Sequence, residues 1–197
     1  MKGFLKGIKG WLIGGIFFAV GLLSLFLVTK FMVMPWESSE LPELENPRLV
    51  VKKKERLLEV FDGQRLVKTY NVVLGFTPTG DKELEGDGKT PEGEFYVFTK
   101  NPESRFHLSL GISYPGPNDA RKGLSQGLIS QEEHDQIVEA FENKKMPPQK
   151  TKLGGEIYIH GGGTVADWTD GCVALRNEEM EQLFRSIPVG TPVLIGP

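Results

Sequence analysis

A chain of 197 residues with 23 basic and 26 acidic side chains, net charge −3, lacks the basic excess that nucleic-acid binding requires. Its single cysteine excludes an internal disulfide. In an exported chain such a thiol is either reactive or paired with another molecule.

The eighteen residues from Trp11 to Val28 carry no charge. As a helix at about 1.5 Å per residue they reach roughly 27 Å, close to the hydrocarbon thickness of a bilayer. Lys2, Lys6 and Lys9 precede the run, and only Lys30 follows before an acidic stretch. The charge asymmetry predicts a cytoplasmic segment at 1–10, a transmembrane anchor at 11–34 and everything later outside the membrane, on the periplasmic or cell-wall side. The run is longer than a usual signal-peptide core, and no small-x-small site follows it, which favours an uncleaved anchor. From Pro35 onward there are 19 basic and 26 acidic residues, a net of −7, which also argues against docking on anionic lipid.

Residues 35–48 are acidic and proline-rich and read as a spacer. The thirteen residues from Pro35 to Pro47 reach at most about 45 Å. The remaining stretch, 49–196, is large enough to bury one core without covalent staples. Leu49–Val51, Leu57–Phe61 and Arg65–Leu74 read as strands, with Asp62-Gly63 as a hairpin turn between the last two. A glycine-rich loop from Gly75 to Pro91 follows. Further strands are predicted over Gly93–Thr99, Phe106–Ser113 and Glu156–His160.

Ser130-Gln131-Glu132-Glu133 is a capping box, and Ile137, Val138 and Phe141 give the helix behind it an apolar face. That helix stops near Pro147-Pro148. A second helix is expected with Asn177 as its N-cap, Glu178 and Glu179 in its first turn, and a stripe of Met180, Leu183, Phe184 and Ile187. Thr191–Ile195 closes the chain as a strand. The reading is mainly β, with two or three helices.

Chemistry concentrates between His160 and Cys172, which join the lone cysteine to one of three histidines. Cysteine attacks as thiolate, and a neighbouring imidazole can generate it as an ion pair. Glycines around both residues permit close backbone approach, and amides near Gly171 and Cys172 can face an oxyanion. On spacing alone Cys172 fits equally well as a small buried hydrophobe. Zinc fits poorly, because one cysteine with His107, His134 and scattered acids has no paired-ligand spacing.

His160-Gly161 followed by Thr169-Asp170-Gly171-Cys172-Val173 resembles the signature of L,D-transpeptidase catalytic domains (YkuD-like). Gly86 to Phe95, with Thr90-Pro91-Glu92-Gly93 inside it, resembles the family's Thr-Pro-x-Gly-x-Phe element, and Leu74-Gly75 fits the end of the preceding strand. The resemblance covers about residues 49–196. It implies a β-sandwich-like extracytoplasmic domain acting on peptidoglycan stem peptides, with no metal or organic cofactor. Cys172 would attack a diaminoacyl–D-alanine carbonyl, release D-alanine and form a thioester that an acceptor amine or water resolves. His160 would move the protons, with Gly161, Thr169 and Gly171 as backbone support.

Many members of that family carry arginine two residues after the cysteine, where this chain has Ala174. The Asp167-Trp168-Thr169-x-Gly171-Cys172 form resembles a subgroup that includes peptidoglycan hydrolases, so transfer and thiol hydrolysis both stand. A non-catalytic wall-binding module is the third reading. Asp167, Lys89, Arg176 and His107 are the further candidates for substrate contact. For Asp167 and Lys89 loop solvation is the alternative, and for His107 a structural role on its strand. Asp170 flanks the motif, Trp168 reads as a packing anchor for the loop, and His134 as a surface residue.

Overall fold

Alternating apolar residues on both sides of Asp62-Gly63 produce the hairpin that the turn signal predicts. The computed structural model, which describes residues 40–197, places β1 at Pro47–Lys52, β2 at Leu57–Asp62 and β3 at Arg65–Asn71. Gly63 makes the turn at φ +58°. Leu49 and Val51 of β1 and Leu58 and Val60 of β2 are buried on one face. The expected strand to Leu74 loses its ladder after Asn71, and Val72–Leu74 continue as buried extended chain.

β4 (Gly93–Ser104) is longer than its sequence signal, and β5 (His107–Ile112) follows it. Gly93–Tyr96 pair with the last strand, β8 (Pro192–Gly196), whereas Val97–Ser104 pair with β5. β6 (Tyr158–His160) and β7 (Val173–Ala174) complete one eight-stranded sheet in the order β3-β2-β1-β8-β4-β5-β6-β7. The strands thus form one continuous layer, with β4 shared between its halves, in place of two separate stacked sheets. The layer curls until its edges meet. Val73, just past β3, exchanges both backbone hydrogen bonds with Ala174 of β7, at 3.0 and 2.9 Å. Edge closure of this kind leaves fewer unpaired strand groups.

Among the described residues three helices accompany the sheet. α1 (Pro117–Ser125) was not expected from the sequence, and α2 (Gln131–Glu142) is the helix behind the capping box. In that box the Ser130 hydroxyl accepts the Glu133 amide at 3.2 Å and the Glu133 carboxylate accepts the Ser130 amide at 2.8 Å. α1 and α2 enclose a small core of Ala120, Ile129, Ile137 and Leu153. α3 (Asn177–Ser186) buries Met180, Leu183 and the following Ile187 in the main core, against residues from β1 to β8. Its N-cap is Arg176 rather than Asn177.

The anchor expected over 11–34 lies outside the described residues, as do residues 35–39 of the spacer; the rest of the expected spacer packs on the domain, with Leu41 buried in the main core and Pro47-Arg48 opening β1. Among the described residues no helix is long and apolar enough to cross a membrane.

Candidate active site

β6 and β7 run parallel, with Ile159 beside Val173 and His160 beside Ala174. Side chains alternate between the faces of a strand. Ile157, Ile159, Val173 and Leu175 therefore enter the core together, and the opposite face presents Tyr158, His160 and Cys172 to an open cleft of about 870 Å³. The Tyr158 amide donates to Cys172 Sγ at 3.4 Å, and the thiol donates to the Glu156 carbonyl at 3.5 Å. Glu156 holds a left-handed backbone, φ +53°, which a non-glycine residue adopts only under local constraint.

His160 is 2% exposed. Its Nδ1 lies 2.5 Å from the Gly161 carbonyl. A carbonyl can only accept, so Nδ1 carries the proton and Nε2 remains an acceptor. Phe106 stacks on the imidazole at 4.7 Å between centroids, and Trp168 meets it edge-on at 5.6 Å. A Cβ at position 161 would stand 2.6 Å from Asn177 Oδ1 and 2.9 Å from the Phe106 carbonyl, so only glycine fits beside the ring. Asn177 contributes the same oxygen to the Gly162 amide at 2.9 Å.

Burial sets the charge state of both groups. It pushes the Cys172 thiol up to about 11. The Tyr158 amide and the Lys82 ammonium oppose this, and the Asp170 and Glu156 carboxylates reinforce it. Burial also lowers His160 below 6.5, against the pull of the Gly161 carbonyl and with help from Arg105. At pH 7 the resting pair is therefore neutral thiol and neutral imidazole, not the ion pair that spacing suggests.

The turn carrying Cys172 is held from below. The Thr169 hydroxyl donates to the Cys172 carbonyl at 2.7 Å and accepts the Gly171 amide at 3.2 Å. Gly171, at φ +127°, lies against the Lys89 carbonyl, 2.6 Å from where its Cβ would be. The Gly75 amide donates to Thr90 Oγ1 at 3.0 Å, and a Cβ on Gly75 would meet the Gly88 carbonyl oxygen at 2.1 Å and Gly171 Cα at 3.1 Å. These neighbours are backbone and cannot rotate away. Gly75→Ala is expected to destabilise the domain by about 1–3 kcal/mol, read as a lower urea midpoint with an unchanged slope.

Asp167 faces away from the imidazole's work. Its carboxylate accepts the Leu74 amide at 2.8 Å and forms an ion pair with Arg56, whose nitrogens reach it at 2.7–3.1 Å. Burial works to raise this carboxyl, but Arg56 and Leu74 outweigh it and hold it below the usual range. His107 and Arg176 lie outside the cleft lining. The His107 Nε2 is 2.9 Å from Glu181 on α3, and Arg176 binds Glu179 at 2.5 Å. Lys89 contributes backbone: its amide donates to Asp87 at 3.0 Å while its carbonyl abuts Gly171. His134 pairs with Asp135 at the start of α2, 2.8 Å away. Asp170 and Trp168 line the cleft. Sequence reasoning missed Phe106, Tyr158 and Lys82. An aromatic next to the β4–β5 turn was the one available signal for Phe106.

A family model, YkuD: L,D-transpeptidase catalytic domain, matches residues 46–195. The Bacillus subtilis protein YqjB, which carries an L,D-transpeptidase name, is 31% identical over 180 residues, covering 88% of this chain and 85% of its own. YafK of Escherichia coli, similarly named, is 23% identical over 142 residues, with 68% and 44% covered. Among solved structures, the helical cell shape determining protein Pgp2 from Campylobacter jejuni aligns at 24% identity and a TM-score of 0.53, over 79% of this chain and 50% of that one. Bd1075 from Bdellovibrio bacteriovorus aligns at 22% and 0.51, over 80% and 52%. The chain spans about half the length of both structures, and at those identities the likeness is one of fold.

Proposed function

The chain belongs to the L,D-transpeptidase catalytic domain family, and from that membership we propose that it acts on peptidoglycan stem peptides through a Cys172 thioester. One observation carries the reading: Cys172 and His160 share one face of paired strands in a single cleft, with Nδ1 tied back so that Nε2 is the free base.

In this mechanism the Cys172 sulfur attacks the carbonyl of a diaminoacyl–D-alanine bond as His160 Nε2 takes the thiol proton. The S–C bond forms, and the C–N bond breaks as His160 returns the proton to the departing D-alanine nitrogen. The amine of a second stem peptide then attacks the thioester. It gives its proton to His160, which passes it to the leaving sulfur, and a new amide results. The amide of Cys172 is assigned to the developing oxyanion, since the Gly171 amide is engaged by Thr169.

We further place residues 11–34 as a single membrane anchor that holds this domain on the outer side, an assignment supported by the uncharged run and its flanking lysines.

The test is product analysis. Purified protein, a tetrapeptide stem and a labelled amine acceptor should yield free D-alanine, a transient acyl adduct on Cys172, and labelled cross-linked product. Release of D-alanine with only free-acid product, and no label incorporated, would overturn transfer in favour of hydrolysis.

A further inference from the structure

Among the described residues two lysines, Lys53 and Lys82, are almost fully enclosed, with side chains 2% and 3% exposed. An ammonium has three donors, and burying one unmet is costly. Lys53 places all three, on the Gly80 carbonyl at 2.5 Å and on the Thr90 carbonyl and Glu92 carboxylate at 2.8 Å each. Lys82 places two, on the Leu84 carbonyl and Asp87 Oδ1, both at 2.8 Å. Asp87 is itself shared, because its carboxylate also accepts the amides of Glu83, Leu84 and Lys89 at 2.8–3.1 Å. Lys82 therefore keeps one donor and part of its charge uncompensated.

Lys82 reaches two cavities, a small one beside Asp119 and Lys122 and the cleft that holds Cys172. Lys82 lines the cleft with Cys172, and its charge acts on the thiol. The neighbouring wall is glycine: a Cβ at Gly154 would stand 3.4 Å from Lys82 Cε, and Gly86 and Gly155 line the cleft beside it. The other charged residues of the lining are Glu85, Glu103, Glu156, Asp170 and Arg105. Four acids repel an anion across most of the cleft and leave few places where it can settle. Arg105, the other cation, stands over Phe106 at 4.7 Å and acts on His160, whereas Lys82 acts on Cys172.

We propose that Lys82 is a carboxylate anchor, binding the free carboxylate of the D-amino acid that leaves when Cys172 is acylated. This rests on the acyl-transfer reading above. A C-terminal carboxylate lies one Cα beyond the scissile nitrogen, so a cation able to hold it must share the cleft with the sulfur, as Lys82 does. The anchor selects stem peptides that end at this residue and aligns their last peptide bond over Cys172.

The experiment compares a tetrapeptide stem ending in D-alanine with the same peptide ending in D-alaninamide, using the full chain. Wild type should prefer the free acid in kcat/KM by about tenfold or more. Lys82→Met should bring the ratio to about one. Asp87→Asn removes the loop partner but leaves the ammonium, and should retain the preference. Equal losses on both peptides in both variants would mean that Lys82 only clamps its loop, and the proposal fails. A second measurement needs no turnover. D-Alanine, but not D-alaninamide, should slow iodoacetamide labelling of Cys172 in wild type and not in Lys82→Met. Lys82-dependent protection without acylation by either peptide upholds the anchor and overturns the acyl-transfer reading. Acylation with a ratio of one and no protection overturns the anchor alone.

Discussion

Cys172→Ala is expected to yield no acyl adduct and to lower D-alanine release by at least about a thousandfold, because the cleft holds no other thiol to take the acyl chain. Since the chain has one cysteine, any thiol reagent reports on this position alone, and intact-mass analysis reads the result without ambiguity. Cys172→Ser should be nearly as inactive, for a buried hydroxyl ionises still less readily than the thiol it replaces. Wild-type protein should react slowly with iodoacetamide at pH 7. The rate should climb as the pH approaches about 11, where burial has moved the thiol. A labelling midpoint near pH 6 would contradict the neutral resting state. Full activity in Cys172→Ala would discard the mechanism.

His160→Gln is expected to lower turnover by about 10²- to 10⁴-fold while the stem peptide still binds. The pH dependence follows from the sign of its shift. Burial depresses the His160 pKa, so the imidazole is a free base above that lowered value. Wild-type activity should hold at pH 7 and fall on an acid limb below 6.5, as Nε2 becomes protonated. In His160→Gln the acid limb should vanish. The alkaline labelling midpoint of Cys172 should stay in place, since burial and not the imidazole sets it. If removing His160 raised that midpoint, the two residues would form an ion pair in the resting protein.

Much of this architecture is legible in the residues because the signals are local. Alternation in Leu57–Phe61 and Gly93–Thr99, the Asp62-Gly63 turn and the Ser130–Glu133 capping box each need only their neighbours to act. α1 escaped because Pro117–Ser125 has no apolar stripe. It buries only Asp119, Ala120 and Gly123, and its Pro-Asn-Asp opening resembles a turn. Asn177 has the chemistry of an N-cap, but its side chain serves the Gly162 amide across the site, a demand that no reading of adjacent residues exposes. Cys172 and His160, the proposed nucleophile and base, were marked by their rarity and by the motif around them. The groups that set their ionisation were not. Phe106 on the imidazole and Lys82 in the wall come from segments far away in sequence, and their roles exist only once the sheet has curled.

β8 has a consequence for how the protein comes into being. It lies between β1, which it pairs in parallel, and β4, which it pairs antiparallel, so residues 192–196 are the seam joining the two halves of the sheet. A chain emerging from the ribosome has its β1–β3 meander and its β4–β5 hairpin early, yet the strand that pairs with both, β8, comes only after all of them. Pairing the first strand with the last also closes the largest loop in the domain, a slow entropic step. Until β8 has been made, the thiol and the imidazole belong to an unfinished sheet, and the cleft takes its shape only after residues 192–196 are in place.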